Sequence, residues 1–148
     1  MAFHFSLQPV LRLRASYERL ERMRLLALVA AIVRVRQKRE ALDKESRDAG
    51  VRTRERLAAG MAGGEMQFEI ACEKLRSEYK HALEIQARDL DRAQKKQRQA
   101  YQMARQKREI LENLRERRLE AYRREESRRE QQRIDELFLL LRAATRVE

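Results

Sequence analysis

The chain has 148 residues, 35 of them Lys or Arg and 24 Asp or Glu, for a net charge of +11. One proline, four glycines and no tryptophan exclude the many tight turns of a compact α/β domain. With 40% of residues charged, too little apolar material is left for a thick globular core, and the abundance of Ala, Glu, Lys, Leu and Arg marks long helices or a coiled coil.

Residues 1–8 form an N-terminal lead. Met1-Ala2-Phe3-His4-Phe5-Ser6 has no basic region followed by an apolar run, so no secretory signal is expected. Pro9, the only proline, suits the first helical position, where a missing N–H is no loss. Ser6 or Gln8 then takes the cap. Helix one is expected over 9–59. Leu25, Leu28, Ile32, Val35, Arg39 and Leu42 step alternately by 3 and 4, the spacing of a heptad seam. Val10, Leu13, Tyr17 and Leu20 do the same one residue out of phase, which predicts a slip near Met23. The apolar run from Leu25 to Val33 lies between Arg24 and Arg34 and is far short of the roughly 20 residues that span a bilayer. Gly50 weakens the helix without ending it.

Gly60-Met61-Ala62-Gly63-Gly64 is the one convincing turn, with Gly60 suited to the left-handed conformation that closes a helix. Helix two is expected over 65–148. Its predicted seam runs Phe68, Cys72, Leu75, Tyr79, Leu83, Gln86, Leu90, Ala93, Gln97, Ala100, Ala104, Lys107, Leu111, Leu114, Arg118 and Ala121. A short turn between two long helices predicts an all-α fold, an antiparallel two-helix coiled-coil hairpin. Helix one would be roughly 75 Å long and helix two roughly 120 Å. A single-helix overhang therefore begins at about residue 116. Within it, Arg123 to Glu130 interleaves charges that can pair along a helix. Ile134-Asp135-Glu136-Leu137-Phe138-Leu139-Leu140-Leu141 is apolar on more than one face and wants a partner.

The charge is uneven. Residues 1–59 carry net +7, residues 60–93 net −2, residues 94–133 net +7 and residues 134–148 net −1. The end of the hairpin that holds both termini is thus strongly basic and attracts acidic surfaces. Enzyme chemistry finds no footing. No phosphate-binding loop is present, His4, His81 and Cys72 lack metal-ligand spacing, and no nucleophile–base set stands out. No catalytic residue, cofactor or metal is expected. A lone Cys72 also permits no intrachain disulfide, which fits a reducing cytoplasm. Tyr17, Tyr79, Tyr101 and Tyr122 are too scattered for a base-stacking platform.

Phe3-His4-Phe5-Ser6-Leu7-Gln8-Pro9-Val10-Leu11-Arg12-Leu13-Arg14 resembles the start of many FliJ proteins of the bacterial flagellar export apparatus. The resemblance continues through the charged helical body and returns in Glu126-Ser127-Arg128-Arg129-Glu130-Gln131-Gln132-Arg133-Ile134-Asp135-Glu136. It implies an antiparallel two-helix coiled coil similar to the gamma stalk of rotary ATPases. It implies binding to the hexameric, FliI-like export ATPase through the terminal end, and to the export gate protein FlhA through a face nearer the turn. It also implies a chaperone-escort role, contact with other export chaperones, and a cytoplasmic location at the inner face of the membrane, reached only through partners. The gate-facing stripe maps onto Phe68, Cys72, Leu75 and Tyr79, where Cys72 departs from the larger apolar residue expected, with Leu42 as the helix-one candidate. For the ATPase the candidates are Arg12, Arg14, Arg117, Arg118, Arg123, Arg124, Leu137, Phe138 and Leu141. The residues alone leave two alternatives: a basic coiled coil that binds nucleic acid through phosphates, and a homo-oligomeric structural coiled coil joined through 134–141.

Overall fold

The computed structural model describes residues 3–144. They form two helices, α1 (Gln8–Ala58, 51 residues) and α2 (Gly63–Ala144, 82 residues), packed against each other as an antiparallel hairpin. No described residue lies in a strand. No described helix is long and apolar enough to cross a membrane.

Local chemistry explains the boundaries. The Leu11 N–H donates to the Leu7 carbonyl at 2.9 Å, opening the α1 ladder, and the Gln8 N–H donates to Phe5 at 3.0 Å. Leu7 therefore occupies the cap, where Ser6 or Gln8 was expected. Pro9 sits in the first turn, where its missing donor has no intrahelical partner to lose. At the other end Gly60 has φ +96°, a conformation costly for any residue with a Cβ. The reversal occupies 59–62, so Gly63 and Gly64 lie inside the first turn of α2 instead of in the turn. Arg56, in the last turn of α1, bonds Glu65 at 2.9 Å and Glu69 at 3.6 Å across the reversal. Glu65 also lies in the first turn of α2, where a negative charge is favoured.

Gly50 sits within α1 with helical geometry, and an added Cβ there meets nothing within 4 Å. Gly50→Ala is expected to raise stability by about 0.5–1 kcal/mol, since it removes backbone freedom from the unfolded chain. Thermal melts followed by circular dichroism check this; an unchanged or lowered midpoint contradicts it.

The chain divides into two units. The turn unit is Arg19–Gln102. Its buried side chains are Val35, Ala49 and Leu83. Leu25, Leu28, Ile32 and Leu42 line the same side of α1, half-buried. Polar links cross this seam. Lys80 meets Asp43 at 2.7 Å and Arg39 meets Glu84 at 3.8 Å. The Gln97 amide donates to the Glu21 backbone carbonyl at 3.0 Å and to the Glu21 carboxylate, which also accepts from Arg24 at 2.8 Å. The hydrogen bond from Lys80 holds the Asp43 carboxyl below its ordinary value. That link contributes at neutral pH and is lost as pH falls through the lowered value.

The terminal unit comprises the described parts of Met1–Glu18 and Met103–Glu148. Here the lead is packed down. Phe5 is buried, the Phe3 ring lies 5.7 Å from Tyr122, and the Arg118 guanidinium stands 5.7 Å over the Phe5 ring. Residues 3–7 thus run along α2 as far as Tyr122. The unpaired part of α2 begins after Tyr122, not at about 116, and 123–144 are exposed throughout.

Two expectations about the seam change. The covered positions of α1 run Leu7, Leu11, Arg14 and Glu18 in the terminal unit and Glu21, Leu25, Leu28, Ile32 and Val35 in the turn unit. The 3–4 alternation continues without a slip at Met23, while Val10, Leu13, Tyr17 and Leu20 are exposed. A one-residue slip would turn a continuous helix by about 100°, and pairing makes it unnecessary. Glu18 is bonded by Arg108, and Glu21 by Gln97. On α2, Leu83, Leu90, Gln97, Ala104 and Leu111 are covered as expected, but Gln86, Lys107 and Ala121 are exposed while Ala87, Arg108 and Tyr122 are covered. Near the turn Met66, Glu69, Arg76 and Lys80 are covered and Phe68, Leu75 and Tyr79 are not. Long charged side chains can cover apolar surface with their stems while their heads reach water or partners.

Candidate functional site

Two sets of residues carry the possibilities, one in each unit. In the turn unit, Phe68, Leu75 and Tyr79 lie 7 and 4 residues apart on α2, hence on one face. They are 67%, 66% and 48% exposed. So exposed, the row lies outside the hairpin seam. Cys72 falls on the same side between Phe68 and Leu75 but is half-buried, as is Leu42 on α1. Asp43, beside Leu42, is tied to Lys80, beside Tyr79, which puts Leu42 at the level of Tyr79.

In the terminal unit the expected docking residues separate into three environments. Arg14 is half-buried on the covered side of α1, whereas Arg12 is exposed. Arg118 is held against Phe5 and donates to the Ser6 hydroxyl at 3.4 Å. Arg117 and Arg123 are exposed and form no ion pair among the described residues, whereas Arg124 is tied to Glu120. Leu137, Phe138 and Leu141 lie beyond every inter-helix contact and are 60–67% exposed, as are Leu139 and Leu140. The five cover all sides of the helix, so no single facing helix within the unit could bury them.

The seam of the terminal unit is itself polar. Arg108 bonds Glu18 across the seam and Glu112 along α2, and its pKa is raised, first by the hydrogen bond to Glu18. Tyr122 donates to Glu126 at 3.3 Å, and its pKa is raised by partial burial and then by Glu126.

Two features escaped the residue pattern. One is the packed lead. Two phenylalanines within five residues, in a chain with only four, were the available signal, but nothing in the spacing names Tyr122 and Arg118 as their partners. The other is the exposed row Val10, Leu13 and Tyr17, whose periodicity is right for a seam and whose position is outside it.

Among the described residues no group of His, Cys, Asp and Glu side chains is placed to hold a metal. No curated protein and no solved structure matches the chain. A family model described as the flagellar FliJ protein matches residues 3–146, nearly the whole length. The chain therefore belongs to the FliJ family, and it is a component of the flagellar export apparatus.

Proposed function

We propose that this protein is a non-enzymatic stalk of the flagellar type III export apparatus. It docks through its terminal unit on the hexameric export ATPase, promotes ring assembly and hydrolysis, and links the ring to the gate protein FlhA through its turn unit. The observation that carries the reading is the exposed apolar segment around Leu137, Phe138 and Leu141 in a unit that also presents Arg12, Arg117 and Arg123. Surface of that kind marks an interaction site. Val10, Leu13 and Tyr17 add a separate exposed apolar row on α1.

The physical mechanism follows from symmetry. Six equivalent ATPase subunits surround a two-helix stalk that has no sixfold axis. The stalk meets the subunits unequally, and differential contact shifts their conformational populations. Arg14, Arg118 and Arg124 contribute charge at the same end. The protein works in the cytoplasm at the inner face of the membrane, reaches the membrane only through its partners, and escorts export chaperones. Co-elution of the full chain with the cognate ATPase at low salt tests the docking. A single joint peak is expected, and two separate peaks overturn it.

For the gate, Phe68, Leu75 and Tyr79 supply the contact, with Cys72 and Leu42 holding the helix pair at that level. The double variant Phe68→Ala, Tyr79→Ala is expected to weaken FlhA binding by about tenfold or more with unchanged helicity. Titration calorimetry and circular dichroism on the same samples check this. A parallel loss of helicity would return the two residues to a packing role.

A further inference from the structure

The terminal unit holds positive charge that nothing within it neutralises. Glu18 and Glu112 bond Arg108, and Glu109 bonds Arg105 at 2.7 Å. Arg12, Arg14 and Arg115 form no ion pair among the described residues, and the buried Nε of Arg115 has no hydrogen-bond partner. Beside it opens a cleft of about 400 Å³, whose walls include Phe3, Phe5 and Pro9 on one hand and His4, Arg12 and Arg115 on the other. Arg115 is half-covered and Arg12 exposed, and with no ion pair to either among the described residues the two guanidinium groups are open to a counter-charge from outside.

We infer that this cleft takes the carboxylate of an acidic side chain from a protein partner, on a segment that places an apolar residue beside the acid. The terminal Nη groups of Arg115, with Arg12 lining the same cleft, suit a carboxylate accepting two parallel hydrogen bonds. The apolar walls accept the neighbouring side chain. A nucleic-acid strand fits less well. Two arginines on one cleft make no track for a row of phosphates, and the aromatic faces are engaged, Phe3 by Tyr122 and Phe5 by Arg118. The inference deepens the docking assigned to the terminal unit and rests on it for the partner's identity. Its test uses no ATPase, so either can fail alone.

The probe is a fluorescent hexapeptide of alternating leucine and glutamate, blocked at both ends. It is titrated with the full chain by anisotropy at about 150 mM salt, where long-range fields are screened. Its glutamine analogue serves as the neutral control. Saturable binding of the acidic peptide alone is expected. Arg12→Gln and Arg115→Gln should each weaken it about fivefold or more, and Arg115→Lys should weaken it nearly as much, because charge remains but the fork is lost. Arg128→Gln and Arg133→Gln, exposed on 123–144 and outside the cleft, should change it less than about twofold. Should Arg115→Gln lower helicity, the exposed Arg12→Gln carries the comparison. Equal losses in all the arginine variants, or no binding, overturn the inference. So does tighter binding of oligouridine that is lost in the cleft variants, which would make the cleft a phosphate site.

Discussion

Replacing Leu137, Phe138 and Leu141 together with alanine is expected to weaken binding to the export ATPase by about 100-fold or more, while helicity and melting midpoint stay close to those of the parent. A few large apolar side chains seated in pockets commonly carry about 2 kcal/mol or more each, and their effects are not additive. The fold loses little because all three side chains are exposed and lie past Tyr122, where the lead meets α2. Alanine also keeps the propensity of the helix they sit on. Titration at fixed low salt measures the loss. Light scattering of parent and variant alone distinguishes the competing occupant. If the parent is a dimer and the variant a monomer with ATPase binding intact, the segment joins copies of this chain, and the docking reading fails.

Leu83→Ala carries the second large effect. Leu83 is 3% exposed, and only Phe5, Val35 and Ala49 are comparably buried among the described residues. Truncating a buried leucine costs about 2–5 kcal/mol through lost transfer energy and the cavity left behind. A hairpin with so few buried side chains has little to compensate, so partial unfolding of the turn unit at physiological temperature is expected. Leu75→Ala is the internal comparison. Leu75 is 66% exposed, and its truncation should change stability by less than about 0.5 kcal/mol. Urea unfolding of the two variants measures both. Equal losses would place Leu75 in the seam and remove the open face assigned to the gate.

The contrast between these leucines shows what the residue pattern could and could not convey. A two-helix hairpin was legible, because Gly60 is the strong breaker and Pro9 the strong starter in a chain otherwise favourable to helix. The phase of the stripes was less legible. Leu75 and Leu83 both fall on runs spaced by 3 and 4, and spacing cannot say which run faces the other helix. Packing and pairing decided it: Arg76 is half-buried, Lys80 bonds Asp43 across the seam, and Glu18 and Glu21 find Arg108 and Gln97. Apolar content alone assigns those places to Val10, Leu13, Tyr17 and Leu20, which instead remain outside. Partners more than 70 positions apart cannot be inferred from local periodicity. The terminal apolar segment was legible for the opposite reason. Five consecutive apolar residues from Leu137 cover a whole helical circumference, so no phase could hide them.

The central claim is that the terminal unit acts on the export ATPase. The direct measurement is the rate of ATP hydrolysis by the cognate enzyme, at low salt, with and without the full chain. Faster hydrolysis that saturates with added protein, and that the Leu137, Phe138 and Leu141 variant fails to produce, is the predicted result. An unchanged rate across the titration contradicts it.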